Sequence, residues 1–386
     1  MRASVVLIVT VCLLLTACSR QPSAPGDSIA APGGAKVTAA PSATATLPPT
    51  STTAVIPPAT PSPPATHTAA ATAPPAATAT TMPTASAIAT ATPHPYAGLT
   101  IEDLASRSYG GGQLAVEETL QITESFTRTL VSYPSDGLQV YGFMNVPFGD
   151  GPFPVALVLH GYIPPRQYRT LDYTTRYADM LARAGYLVVH PNYRNHPPSD
   201  ETAAFAAGEP EADFRVGYAV DVLNLLAIIQ AQGGQVGPLE KANTEQLHLL
   251  GHSMGGGIAL RVITVNPDVN AAVLYGAMSG DEAKNYERIL EWSNGQSGEW
   301  ELATAAEELQ RISPIYHLSR IQAAVSVHHG ALDDTVPPEW SWELCQLLRE
   351  HGKEVECFNY PDAPHSFHDE VDRLFQQRVI DFFGRY

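Results

Sequence analysis

The sequence predicts an α/β domain over residues 97–386: a mostly parallel central sheet, helices on both faces, and a short helical insertion at about 280–312. Three observations predict it. From Pro154 onward, short apolar runs alternate with longer helix-like segments, the pattern of strands buried on both faces beneath crossover helices. One run ends in Gly251-x-Ser253-x-Gly255 and passes directly into a helical segment. Ahead of Tyr96 the chain is almost all Ala, Thr, Pro and Ser and holds about half of the 33 prolines. Such a segment cannot bury enough apolar surface to offset its ordering entropy, so one large domain carries the fold.

Taken in order, residues 1–17 have the architecture of an export signal. Arg2 precedes an apolar run from Ala3 to Leu15, too short to span a bilayer comfortably. Its end, Leu15-Thr16-Ala17-Cys18, resembles the bacterial lipobox, which implies cleavage before Cys18 and lipidation there. The alternative is ordinary cleavage near Ala17 with Cys18 incidental. Lipidation would hold the protein at the membrane of a bacterial cell envelope, facing outward, since each buried methylene adds about 0.8 kcal/mol. Residues 18–96 form a disordered stalk; as a coil, the 77 residues from Ser19 to Pro95 span on the order of 50 Å.

Residues 126–133 and 138–146 flank Pro134-Ser135-Asp136-Gly137, a turn-rich break that predicts an antiparallel hairpin. Strand-like runs follow at 154–160, 186–190, 247–250, 271–275, 323–327 and 354–360. Helix-like segments lie at 171–184, 213–232, 254–265, 338–351 and 366–383. No G-x-G-x-x-G stands at a strand-to-helix turn and no G-x-x-x-x-G-K-[ST] is present, so the phosphate cradles of dinucleotide and P-loop proteins are missing.

The charge balance narrows the function. The chain is net −17; the segment through Lys36 is net +2, which leaves −19 on the remainder. An acidic body is repelled by phosphate backbones, so no nucleic-acid partner is expected. Four cysteines are too few for a disulfide scaffold and lack zinc-ligand spacing. Neither a metal nor a cofactor is implied.

Gly251-His252-Ser253-Met254-Gly255, framed by strand and helix, is a nucleophile elbow. The turn is tight enough to require small residues two before and two after Ser253, and the helix N-terminus beneath favours developing negative charge. A serine needs a base and an orienting acid. The loops after 323–327 and 354–360, taken to follow strands beside the serine strand, supply Asp333 and His365. Asp334 and Asp281 are rival acids, and Asp362 is a turn residue. His160, His252, His328 and His329 serve packing near the elbow. The N–H of Met254 is one oxyanion donor.

This ordered set resembles the α/β-hydrolases, in particular prolyl-oligopeptidase-like catalytic domains and their dienelactone-hydrolase-like relatives, over roughly residues 130–386. The matching pieces are Leu159-His160-Gly161-Tyr162, Gly185 to Val189 running to Asn192-Tyr193-Arg194, the serine elbow, His329 to Asp333 with Val336-Pro337, and His365-Ser366-Phe367. The resemblance implies Asp333 over Asp334, because the acid lies three residues beyond the glycine of the His-Gly pair. It also implies Tyr162 as the second oxyanion donor. The N-terminal propeller that filters substrates in those peptidases has no counterpart here.

The insertion at 279–312 is rich in glutamate, including Glu282, Glu287 and Glu291, and carries Tyr286, Trp292 and Trp300. In the resembling fold it sits where a cap covers the active site. As an acidic, aromatic-edged lid it would select a neutral or cationic substrate; as a solvated helical pair it would touch no substrate. Cys345 and Cys357 suit a disulfide in an oxidising location, and two buried thiols fit equally well.

The expected function is a tethered serine hydrolase acting on a small ester or short peptide. A carboxylesterase without peptidase activity, on acyl-polysaccharides or polyesters, is the alternative; Gly255-Gly256-Gly257 resembles polyester-cleaving cutinases. A non-catalytic surface binding module would normally have lost one of Ser253, Asp333 and His365, and all three are present.

Overall fold

The computed structural model describes residues 96–208 and 214–386. The signal segment, Cys18 and nearly all of the stalk lie outside the described residues. Nine strands form one sheet: β1 (Ala115–Ile122), β2 (Phe126–Ser135), β3 (Leu138–Pro147), β4 (Phe153–Leu159), β5 (Leu187–Pro191), β6 (Ala242–His252), β7 (Ala271–Tyr275), β8 (Ala324–Gly330) and β9 (Val355–Tyr360). Their spatial order is β1-β2-β3-β5-β4-β6-β7-β8-β9. The first three strands pair antiparallel, and β3 meets β5 antiparallel. From β5 to β9 every neighbour is parallel. The hairpin β2–β3 turns at Asp136-Gly137, both with positive φ, which suits these two residue types.

The helices are α1 (Ile101–Ser106), α2 (Thr175–Arg183), α3 (Ala203–Ala207), α4 (Phe214–Gln232), α5 (Met254–Val265), α6 (Glu282–Trp292), α7 (Glu299–Leu302), α8 (Ala306–Ile312), α9 (Pro338–Glu350) and α10 (Asp369–Phe383). Residues of α1, α4, α5 and α9 pack on one sheet face around Leu157, Leu249, Leu274 and Val325. Those of α2 and α10 pack on the other around Tyr177, Tyr275, Phe367 and Phe375. The central strands β4, β5 and β7 are therefore buried on both sides almost throughout, which is why they read as continuous apolar runs rather than as alternation.

Two features depart from the sequence reading. Strand β1 is new: its AVEETLQI sequence is exposed at seven of eight positions, so an edge strand with no buried face left no hydrophobic period to detect. And the acid and base strands do not lie beside the serine strand. β7 adjoins β6, with β8 and β9 second and third out. Their loops still meet because parallel strands all end on the same edge of the sheet.

Candidate active site

At the end of β6, Ser253 adopts φ 58° and ψ −120°, a conformation that costs on the order of 1–3 kcal/mol for a residue with a side chain. The surroundings hold it there. Its N–H donates to the Tyr275 carbonyl at 2.9 Å, and its own carbonyl accepts from Gly256, Gly257 and Met278 at 3.0, 3.2 and 3.1 Å. A Cβ on Gly251 would stand 2.2 Å from the Gly255 carbonyl oxygen, and one on Gly255 would stand 2.2 Å from that of Leu159. The two glycines flanking the serine are thus sterically required.

Asp333 and His365 meet across the ends of β8 and β9. His365 Nδ1 lies 2.7 Å from Asp333 Oδ2. A carboxylate there only accepts, so Nδ1 carries the proton and Nε2 keeps its lone pair. Asp333 Oδ1 accepts from the N–H groups of Thr335 and Val336 at 2.9 and 2.8 Å. Burial by itself would push the Asp333 carboxyl up, but hydrogen bonds from His329 and His365 hold it well below the usual carboxylate range. His329 is the partner the sequence placed only in packing. Its Nε2 sits 2.9 Å from Asp333 Oδ2 and 3.0 Å from the Val336 carbonyl, and its Nδ1 faces Ser341 Oγ at 2.6 Å.

The rival acids are elsewhere. Asp334 is exposed and accepts from the Thr335 hydroxyl, while the turn that follows is capped by Asp333. Asp281 caps α6 by accepting from the Ala283 N–H. Asp362 is exposed.

His252 clamps His365 from behind. Its Nε2 is 2.9 Å from the His365 carbonyl, which can only accept, so its Nδ1 accepts from the Tyr173 hydroxyl at 2.5 Å. Burial, then the neighbouring His365, pull the His252 pKa down to about 3, so the ring stays neutral. Burial likewise pushes the Tyr173 hydroxyl up to about 12. Nothing in the sequence pattern singled out Tyr173, since its contact with His252 bridges 79 positions.

A cleft of about 290 Å³ opens beside the elbow, lined by Tyr162, Arg215, Met254, Met278, Ile289, Trp292, Ser293 and Ser297. Both expected oxyanion residues line it. Met254 is buried at the first position of α5, while Tyr162 is 56% exposed. The insertion contributes a wall through Ile289 and Trp292 of α6, so it does reach the cleft. It brings no carboxylate to the lining. Glu282, expected on an acidic lid, is instead buried and paired with Arg261 and Arg215. Arg215 was not foreseen, because a lone arginine at the start of a helix carries no motif. Cys345 of α9 and Cys357 of β9 form a disulfide.

The family model described as Prolyl oligopeptidase family matches residues 237–386. A "Putative carboxymethylenebutenolidase" of Escherichia coli O157:H7 is 24% identical over 289 residues, covering 67% of this chain and 91% of its own. The uncharacterized peptidase YtmA of Bacillus subtilis is 23% identical over 262 residues, covering 65% and 91%. Among solved structures, the acylaminoacyl peptidase of Pyrococcus horikoshii aligns with TM-score 0.56 at 20% identity, over 68% of this chain but 42% of that one. Acetyl xylan esterase 1 from Thermoanaerobacterium aligns with TM-score 0.52 at 17% identity, over 70% and 88%. This chain thus spans less than half of the archaeal peptidase. With the parallel sheet and the serine elbow already described, these matches identify the domain as an α/β-hydrolase fold, prolyl-oligopeptidase-like in its C-terminal half, and the protein as a serine-type hydrolase.

Proposed function

We propose that the protein is a membrane-tethered, extracytoplasmic hydrolase that cleaves small ester or short-peptide bonds through Ser253, His365 and Asp333. The observation that carries the reading is the Asp333–His365 hydrogen bond at the same sheet edge as the strained Ser253 elbow. Ser253 Oγ attacks the substrate carbonyl carbon while His365 Nε2 takes its proton. The carbonyl oxygen becomes an oxyanion held by the N–H groups of Met254 and Tyr162. His365 then returns the proton to the leaving oxygen or nitrogen as that bond breaks, which leaves an acyl-enzyme. Water, deprotonated by His365, splits the ester and restores Ser253. Asp333 orients the ring and stabilises its cationic form throughout. Cys18 would be the lipid attachment point and the stalk a spacer.

The test uses the full chain in detergent with a fluorophosphonate probe, beside Ser253→Ala. Labelling of the native protein and none of the variant is the expected result. A well-folded native protein that takes no label would overturn the assignment and favour a binding module. Rates on p-nitrophenyl acetate and on an alanyl or prolyl anilide then separate ester from peptide cleavage. Retention of the protein by the membrane fraction, and its release in Cys18→Ala, tests the anchor.

A further inference from the structure

Of the eight described residues that line the cleft, one is charged, and it is a cation. Arg215, at the start of α4, is 5% exposed. A guanidinium offers five N–H donors, and burying it is costly unless they are satisfied. Here Nε and Nη1 are buried without a hydrogen-bond partner among the described residues. The ion-pair partner of Arg215 among the described residues is Glu282, whose Oε2 lies 3.2 Å from Nη1.

That carboxylate is already shared. Its Oε1 accepts from Arg261 Nη2, and its Oε2 accepts from Asn285 at 3.2 Å. Arg261 gives a further bond to the Ile312 carbonyl, so the better-satisfied guanidinium is the one away from the cleft. Among the described residues, two guanidiniums face one carboxylate, and the surplus positive charge rests on Arg215 at the cleft wall. Its Nη2 lies against the first turn of α5, where a Cβ on Gly257 would stand 3.3 Å away. The N-terminus of α5 adds potential of the same sign.

We propose that Arg215 determines substrate choice, and that the preferred substrate carries a carboxylate beyond its scissile carbonyl, which Arg215 pairs when the substrate is bound. The inference rests on Ser253 being the nucleophile, because the cleft is a substrate site only in that reading. It reverses the expectation of a lid selecting neutral or cationic groups: Glu282 is neutralised by two arginines, no cap carboxylate is among the described lining residues, and an arginine is what remains to meet a ligand.

The test compares kcat/KM of the full chain on matched pairs. p-Nitrophenyl monoesters of succinic, glutaric and adipic acid are set against the neutral butyrate, valerate and hexanoate. Acetate esters of hydroxybenzoate and hydroxybenzamide place the carboxylate on the leaving side instead. A desolvated charge-assisted pair predicts that the acidic member of at least one pair is favoured by about tenfold or more. Arg215→Met should collapse that ratio to about one, chiefly through KM, and Arg215→Lys should keep part of it. Glu282→Gln should raise it, because Arg215 loses the one carboxylate it pairs with among the described residues; this variant decides the matter if Arg215→Met does not fold. No acidic preference in any pair, or a preference that survives Arg215→Met or is unmoved by Glu282→Gln, would overturn the proposal. Fluorophosphonate labelling of the same preparations keeps the two readings apart: unlabelled native protein removes the nucleophile, whereas labelled protein without acidic preference removes only the role of Arg215.

Discussion

Replacing Asp333 by Asn tests the site at its most constrained point. Oδ1 accepts from two backbone N–H groups, of Thr335 and Val336, and must remain an oxygen in the variant. The new amide NH2 is therefore forced to the Oδ2 position, facing His365 Nδ1 at 2.7 Å and His329 Nε2 at 2.9 Å. Two donors cannot face each other, so His365 shifts its proton to Nε2. The nitrogen that should accept the Ser253 proton then carries one of its own. His329 is affected less, because its Nε2 already has the Val336 carbonyl as a second acceptor. A wrong tautomer of the base lowers kcat by about ten-thousandfold in triads of this kind, with little change in KM. The assay is hydrolysis of p-nitrophenyl acetate at pH 7.5, with Asp334→Asn, Asp281→Asn and Asp362→Asn measured in parallel and expected within threefold of the native enzyme. Asp333→Asn retaining more than a tenth of native activity, or one of the other three falling as far, would refute the argument.

Two further outcomes follow from the scaffold. Cys345 and Cys357 lie 12 positions apart, and the chain entropy of closing so short a loop in the unfolded state amounts to about 3 kcal/mol; Cys345→Ser with Cys357→Ser should lose about that much in urea denaturation, and a loss under 1 kcal/mol would count against the estimate. Acid should destabilise the fold early. Burial holds the pKa of His190, His252 and His328 down to about 3 and of His196 and His248 down to about 4. These rings stay neutral when folded and take up protons below about pH 6.5 when unfolded. Their contribution is complete above that pH and is lost as pH falls through it, by up to about 1.4 kcal/mol per pH unit for each histidine. The urea midpoint should drop steeply between pH 6.5 and 4.5; a flat profile there would mean that the rings are solvated.

The elbow, the order of serine, acid and base, and the alternation of strand and helix were all legible in the sequence, and each for a local reason. A tight turn that admits only glycine on either side of a serine is written in five adjacent residues. A doubly buried strand is written in its own apolar run, as in β7. What stayed hidden depends on contacts between distant parts of the chain. β1 has no buried face and hence no period. Glu282 looks like one of many surface glutamates until folding brings Arg261 and Arg215 to it across 21 and 67 positions. Tyr173 comes to support His252 only when separate loops converge at one sheet edge, and His329 reaches Asp333, four positions on, only because the loop after β8 turns back on its strand. The sequence by itself determined the fold and which residues to propose for the site, because local sterics and hydrophobic period specify backbone conformation. Which charges are buried, which are paired and which is left facing the cleft was decided by tertiary structure alone, because desolvation and Coulomb energy depend on neighbours that sequence order does not name.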